Sequence, residues 1–338
     1  MPFRDITGHQ RILGLIARAA VRGSLPPSLI FAGPEGVGKR MAAVSLAQLL
    51  NCLSPIAVAN SSAESLDACG VCSSCRRIAR GMHPDVKVIV PEASGSIKVE
   101  QIRDAIASAG YRPFEGRRRV TIIDDADQIY GQSQDSLLKT LEEPSPASIF
   151  VLVTARPELL LQTVRSRCQR LRFGRLVPGD VAAVLVKHEY TEEDAHAAAA
   201  LSDGSPGRAL EEGTEAFAEA RGAALHLLQS VATTDAPGAR LQSALALPGA
   251  GRGKADRVAL GQSLLALSSI LRDLGALMSR ADERSLANAD LKKPLESLLR
   301  AYDGERVISA FGHVDRALDA LDRNASPKIV ADWLALQI

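Results

Sequence analysis

The residues whose types and spacing best suit chemistry lie near the N-terminus, in the stretch from Gly33 to Arg40. Gly33, Gly38 and Lys39 match the pattern G-x-x-x-x-G-K-[ST], in which backbone N–H groups and a helix N-terminus bind phosphates while the lysine reaches the β- and γ-oxygens. The last position departs from the pattern, because Arg40 stands where a hydroxyl group would hold Mg²⁺. The predicted phosphate-binding residues are Gly33, Pro34, Glu35, Gly36, Val37, Gly38, Lys39 and Arg40.

Paired carboxylates, Asp124 and Asp125, follow an apolar strand later in the chain. In phosphate-loop NTPases an acidic residue at such a strand end holds Mg²⁺, and its neighbour can orient the attacking water. Asp124 takes the first role here and Asp125 the second, although Asp125 is shorter than the glutamate usual at that place. Many strands simply end in solvated acids, so it is the upstream phosphate loop that favours a nucleotide site. Thr154 ends another apolar strand, where it could sense a γ-phosphate or its water.

Four of the five cysteines, Cys52, Cys69, Cys72 and Cys75, form a cluster in the sequence. Thiolates at C-x-x-C-x-x-C spacing suit tetrahedral Zn²⁺, and four sulfur ligands leave no open position, which indicates a structural metal. The alternative is a set of small, half-buried thiols in a loop. The Ser- and Ala-rich segment between Cys52 and Cys69 has no periodicity and is predicted to be a flexible excursion.

Apolar runs and helical periodicity place these residues on alternating strands and helices. Strands are predicted at 28–32, 86–90, 120–123, 149–154 and 171–173, with helices at 8–23, 40–50, 99–109 and 133–143. Such interleaving implies a mostly parallel five-stranded sheet covered by helices on both faces.

The C-terminal half is predicted to contain helices only. Three short helices begin near Pro178, Thr191 and Ser205, and longer amphipathic helices follow from about residue 215. The interval 233–253 is predicted to be a long connection between helices.

Composition limits the class of protein. The chain has 338 residues, 46% of them hydrophobic, and a net charge of +1, which argues against a protein that coats nucleic acid by itself. No apolar run approaches the roughly 20 residues of a membrane span, and the N-terminus lacks the apolar region of a signal peptide. We therefore expect a cytoplasmic protein without membrane contact.

Several motifs together carry a family resemblance: the phosphate loop, the cysteine cluster, Leu-Leu-Lys-Thr-Leu-Glu-Glu-Pro at 137–144 and Ser-Arg-Cys at 166–168. With these motifs the chain resembles the bacterial clamp-loader ATPases of the AAA+ class over roughly its first 210 residues. Within that group it is more similar to the delta-prime subunits of DNA polymerase III than to the gamma/tau motors.

The resemblance implies an α/β plus all-α architecture. An AAA+ nucleotide-binding domain would occupy residues 1–176 and carry a zinc module at 52–75. A three-helix lid domain would follow at 177–213, and a helical collar domain for oligomerisation at 214–338.

The resemblance also implies roles for particular residues. Arg167 matches the arginine finger that acts in trans on the ATP site of an adjacent subunit, Thr154 matches the first sensor, and Arg208 the second sensor on the lid. From the residues alone, Arg167 could also be an ordinary surface arginine and Thr154 a strand-end cap.

The implied partners are gamma/tau, delta and the sliding clamp, with primer-template DNA reached through the assembled complex. Because Arg40 removes the magnesium hydroxyl, we expect little or no ATP hydrolysis by the chain itself. ATP and ADP both remain open as ligands, and Mg²⁺ is disfavoured. A gamma/tau-like motor ATPase is the alternative, and an unrelated zinc-bearing adaptor with a vestigial nucleotide fold is a third reading.

The run Arg117-Arg118-Arg119 precedes the strand at 120–123. It is consistent either with contact to a DNA backbone in the assembled loader or with a solvated face.

Overall fold

The computed structural model describes residues 1–58, 66–92, 95–129, 132–234, 236–251, 254–279, 286 and 288–338. It contains two compact units. The first comprises Met1–Asp180 with Ser205–Gly207, and the second comprises Val181–Gly204 with Arg208–Ile338. The finer division into nucleotide-binding, lid and collar domains stays a prediction.

The first unit is built on alternating strands and helices. In chain order these are α1 (Gln10–Val21), β1 (Ser28–Ala32), α2 (Lys39–Asn51), β2 (Ile56–Ala57), β3 (Leu66–Asp67), α3 (Ser73–Ala79), β4 (Val86–Ile89), α4 (Val99–Ala109), β5 (Arg119–Ile123), α5 (Gln132–Glu142), β6 (Ser148–Thr154), α6 (Gln162–Arg165) and β7 (Gln169–Arg172).

The main sheet has five parallel strands in the order β4-β5-β6-β1-β7. Every residue of β1 and β6 is buried, which explains their continuous apolar sequences, because helices cover both faces of such a sheet. Leu137 and Leu141 of α5 and Ile102 of α4 pack in one core with Phe150 of β6. The predicted parallel five-stranded sheet is confirmed.

Register brings the chemical residues to one edge of this sheet. Ala32 pairs with Thr154, and Ile123 pairs with Leu152. The phosphate loop follows β1, Asp124 follows β5, and Thr154 is the last residue of β6. All three therefore lie at the carboxyl ends of parallel strands, where ligands bind in open α/β sheets.

The predicted excursion between Cys52 and Cys69 is wrong at its two described ends. Ile56–Ala57 pairs in antiparallel fashion with Leu66–Asp67, and residues 59–65 lie outside the described part of the chain. The Asp67 carboxylate of the second strand accepts hydrogen bonds from the Phe3 and Arg4 backbone N–H groups at 3.1 and 3.0 Å, which joins this strand to the N-terminal residues.

Beyond β7 the described elements are helical. They are α7 (Pro178–Lys187), α8 (Glu192–Leu201), α9 (Pro206–Glu212), α10 (Thr214–Thr233), α11 (Pro237–Leu245), α12 (Lys254–Met278), α13 (Lys292–Leu298), α14 (Gly304–Asp322) and α15 (Pro327–Gln337). Helices α7, α8 and α9 begin close to their predicted starts. The long connection predicted at 233–253 is wrong, because α11 opens inside it on Pro237, a residue suited to the first helical turn. No helix in the described ranges is long and apolar enough to cross a membrane.

Candidate functional site

The phosphate loop connects β1 to α2 and depends on its glycines. Gly36 and Gly38 have φ values of 69° and 95°, a region that favours glycine. Gly38 caps the N-terminus of α2. At Gly33 an added Cβ would lie 2.1 Å from the Phe173 carbonyl oxygen, so only glycine fits there.

Lys39 begins α2 and turns its ammonium group back into the loop. Its Nζ donates to the Gly33 and Pro34 carbonyl oxygens at 2.7 and 2.5 Å, and the residue is only 6% exposed. Burial lowers the Lys39 pKa, and the carboxylates of Glu35 and Asp124 act in the opposite direction. The geometry leaves a cation inside a glycine-rich turn at a helix N-terminus, which is an anion-binding arrangement.

Arg40 and Asp124 form an ion pair beside the loop, with 3.2 Å between Nη1 and Oδ2. The Asp124 side chain is largely buried, whereas that of Arg40 is 56% exposed. Burial and the neighbouring Asp125 raise the pKa of Asp124, and Arg40 opposes that shift. A magnesium site does not fit these residues, because the hydroxyl ligand is missing and a guanidinium already neutralises the carboxylate.

Asp125 and Thr154 have different surroundings. Asp125 is exposed, with left-handed backbone angles of φ 48° and ψ 50°. The Thr154 hydroxyl is buried and donates to the Asp127 carboxylate at 2.6 Å. Arg156 also binds Asp127, through Nε at 3.1 Å and Nη2 at 3.0 Å. Asp127 thus holds the Thr154 hydroxyl in place, and Arg156 holds Asp127. The sequence analysis did not identify either residue.

Arg167 follows α6 and lies against α5. Its Nε donates to Glu142 Oε1 at 2.7 Å, with a second contact from Nη2, and its Nη1 donates to the Thr163 carbonyl at 2.9 Å. Within the described residues, the partners of the Arg167 guanidinium do not belong to the phosphate loop. The structure therefore does not bring Arg167 together with the loop of its own chain.

Arg208 lies on α9 in the second unit. The residues just before it, which belong to the first unit, pack on the phosphate loop. Ser205 Oγ donates to the Glu35 carbonyl at 2.8 Å, and the Gly207 N–H donates to the Gly36 carbonyl at 2.9 Å. An added Cβ on Gly207 would lie 2.7 Å from Gly36 Cα, so this close approach requires glycine.

Cys52, Cys69, Cys72 and Cys75 converge, with all four sulfur atoms within 4.8 Å of one another. A zinc ion would hold each sulfur at about 2.3 Å in a tetrahedron, which places the sulfurs about 3.8 Å apart. The four cysteines are thus close enough to bind one metal ion, and the donor set fits Zn²⁺.

Hydrogen bonds favour anionic sulfur at Cys72, whereas burial raises the pKa of the Cys52 and Cys75 thiols. The backbone N–H groups of Cys69, Cys72 and Cys75 donate to the sulfurs of Cys52, Cys69 and Cys72 at 3.2, 3.3 and 3.4 Å. Burial raises the Cys72 pKa, but the Cys75 and Leu53 N–H groups and the neighbouring thiols outweigh burial and lower it to about 6. Such donors favour the thiolate that a metal requires.

The arginine run is partly structural. Arg119 Nη2 lies 3.0 Å from Asp85 Oδ1, and its Nη1 donates to the Ser108 carbonyl at 2.8 Å. Arg118 donates its backbone N–H to Asn51 Oδ1 at 2.9 Å, and its side chain donates to the Pro146 carbonyl. Arg119 is therefore an internal ion-pair partner and not part of a solvated face.

A glycine-rich loop between a buried parallel strand and a helix, with an acidic residue after another strand of the same sheet, defines a phosphate-loop protein. The sequence model of the family described as DNA polymerase III, delta subunit, matches residues 8–176, half of the chain. The chain belongs to this family, and hence to the clamp-loader subunits.

Several known proteins are similar to this chain. The chain is 34% identical over 196 residues to DNA polymerase III subunit tau of Salmonella typhimurium, covering 58% of this chain and 28% of that protein. It is 31% identical over 219 residues to subunit delta' of Bacillus subtilis, covering 65% and 64% respectively. The matches thus span less than two thirds of these relatives. A gamma subunit-related protein of Thermotoga maritima has a TM-score of 0.42 at 17% identity, covering 96% of this chain and 97% of that one.

Proposed function

We propose that this protein is a delta-prime-type subunit of a bacterial replicative clamp loader. It assembles with gamma/tau and delta subunits, helps to load the sliding clamp onto primed DNA in the cytoplasm, and donates Arg167 in trans to a neighbouring ATP site. The observation that carries the proposal is the 3.2 Å ion pair between Arg40 and Asp124, since it occupies both positions that would hold Mg²⁺ in a working ATPase.

The ion pair bears on the chemistry directly. Phosphoryl transfer depends on positioning and on electrostatic stabilisation by metal ions and arginines. Without its metal ligands this chain has little or no hydrolysis of its own, although Gly33–Lys39, Asp124, Asp125 and Thr154 still shape a nucleotide site in the first unit. Arg167, on the surface of the first unit, then contributes to the chemistry of a neighbour.

The other parts of the chain support assembly. Cys52, Cys69, Cys72 and Cys75 hold a structural zinc ion, and the C-terminal helices form the oligomerisation collar. The second candidate is a gamma/tau-like motor ATPase. The buried ammonium group of Lys39 within an intact glycine loop favours it, because a motor needs that lysine on its phosphates.

ATP hydrolysis by the isolated chain, and by a complex reconstituted with gamma/tau and delta subunits, tests the proposal. We expect no measurable turnover by the isolated chain. In the complex, Arg167→Ala lowers turnover by about tenfold or more without loss of assembly in gel filtration. Arg165→Ala, at a nearby exposed arginine, is the matched control. Turnover by the isolated chain that Lys39→Ala abolishes would establish the motor instead.

A further inference from the structure

The first turn of α2 and the end of β5 carry opposite charges in contact. Arg40 Nη1 lies 3.2 Å from Asp124 Oδ2. In phosphate-loop NTPases these two positions supply a hydroxyl group and a carboxylate to Mg²⁺. A divalent ion here would have to displace the guanidinium from Asp124 and then remain beside it, so like charges oppose metal binding.

The ion pair with Asp124 leaves other N–H donors of the Arg40 guanidinium available to a ligand at the phosphate loop. A guanidinium has five N–H donors in a planar fork suited to phosphate oxygens, and one Arg40 nitrogen engages Asp124. Since the Arg40 side chain is 56% exposed, the remainder of the fork is accessible to a ligand. Arg40 therefore combines neutralisation of Asp124 with the capacity to bind phosphate.

The positive charge at the phosphate loop comes from the Lys39 ammonium group, the N-terminus of α2 and the Arg40 guanidinium. Lys39 Nζ donates to the Gly33 and Pro34 carbonyl oxygens, and because an ammonium group on a flexible stem can rotate its donors, these bonds can be exchanged for bonds to phosphate oxygens. The first N–H groups of α2 have no partners within the helix and carry the positive end of its dipole. Metal-dependent phosphate loops share the lysine and the helix N-terminus, so Arg40 is the additional positive charge, and it lies where such a site would hold an ion.

We infer that this phosphate loop binds the diphosphate or triphosphate group of a nucleotide without Mg²⁺, with the Arg40 guanidinium in the place of the metal. The inference rests on the nucleotide site of the proposed function and specifies how that site is neutralised. Nucleotide then acts as a structural ligand of the subunit and not as its fuel.

Calorimetric titration of the full chain with ADP and with ATP tests this, in buffer containing either MgCl₂ or EDTA at matched ionic strength. The expected dissociation constants differ by less than about twofold between the two buffers, because no metal ligand is available. Lys39→Ala abolishes binding in both buffers, which assigns the binding to the phosphate loop. Circular dichroism confirms that each variant is folded.

Arg40→Ser is the decisive variant, since it restores the hydroxyl and frees Asp124. We expect it to bind ADP more weakly than wild type in EDTA and to gain about tenfold or more in affinity on addition of Mg²⁺. Wild-type binding that tightens about tenfold with Mg²⁺, or no wild-type binding in either buffer, overturns the inference. Neither result changes the expected loss of hydrolysis in complexes carrying Arg167→Ala, so the two proposals fail separately.

Discussion

The buried carboxylate of Asp127 accepts a hydrogen bond of 2.6 Å from the hydroxyl of Thr154. The pair joins the turn after β5 to the end of β6, and Arg156 adds two hydrogen bonds to the same carboxylate. Thr154, the first sensor position implied by family resemblance, is thus held in one orientation by a neighbour within its own chain.

Replacing Asp127 with Ala should destabilise the first unit. The change removes hydrogen bonds to a buried charged group, each of which contributes about 1.5–3 kcal/mol, and leaves the Thr154 hydroxyl without this acceptor. Because Arg156 is half-exposed and can regain water, we expect a loss of about 2–3 kcal/mol in the free energy of unfolding. Urea denaturation measures it. Asp125→Asn, at an exposed position whose left-handed backbone Asn tolerates, serves as the control, and equal stability of the two variants would contradict the role of Asp127.

Asp85 should make stability depend on acidic pH. Its buried carboxylate accepts backbone hydrogen bonds from Phe114, Glu115 and Gly116 at 2.7–2.9 Å and pairs with Arg119. Burial raises the Asp85 pKa, but these donors outweigh burial and hold it below the ordinary value of 3.8. A carboxyl group whose pKa is lower in the folded than in the unfolded state stabilises the protein when the pH is above its unfolded-state pKa. This stabilisation is lost as the pH falls through the folded-state pKa.

Asp85→Asn should therefore lower the free energy of unfolding at pH 7 by about 2–3 kcal/mol, since charge-assisted hydrogen bonds are lost. The difference from wild type should shrink as the pH falls below 3.8, the ordinary aspartate value. Denaturation at neutral pH and at successively lower pH measures both effects. A difference that stays constant over this range would show that the Asp85 charge does not contribute.

Much of the first unit could be predicted because its signals are local. The helix predicted at 99–109 is α4 (Val99–Ala109), with Ile102 and Ala105 buried at helical spacing and Gly110 after its end. The five strands follow from short β-branched or apolar runs. The cysteine spacing likewise predicted a convergence that the structure confirms.

The missed features depend on contacts distant in sequence. Asp127 contacts Thr154 from a short turn at Ala126–Gln128, which follows the left-handed backbone conformation of Asp125. The sequence showed that position 40 carries an arginine and not a hydroxyl residue. It did not show the ion pair of Arg40 with Asp124, because the two positions are 84 residues apart. Helix α11 was missed because its Ala- and Gly-containing sequence resembles a linker, although the N-terminal signal at Pro237 was present.

The cluster of Cys52, Cys69, Cys72 and Cys75 should bind about one zinc ion per chain, because four thiolates would form a closed structural site. Elemental analysis of protein purified without chelator measures the content. Cys75→Ser removes a fully buried thiol of the cluster and should abolish stoichiometric zinc. Cys168→Ala is the control, because that thiol is buried outside the cluster with its pKa raised to about 12. Wild-type protein without zinc, or undiminished zinc in Cys75→Ser, would contradict a four-cysteine site.

The ion pair between Arg167 and Glu142 gives the last prediction, which depends on the proposed trans role of Arg167. Both side chains are partly exposed, and such a pair contributes only about 0–1 kcal/mol, so Arg167 can leave Glu142 for a phosphate at little cost. Glu142→Gln should therefore leave ATP hydrolysis by the reconstituted complex unchanged or raise it by up to about threefold, since it removes a competing partner. The double variant with Arg167→Ala should match Arg167→Ala alone. If Glu142→Gln instead slows hydrolysis as much as Arg167→Ala, the arginine acts through its ion pair on α5 and not through the neighbouring ATP site.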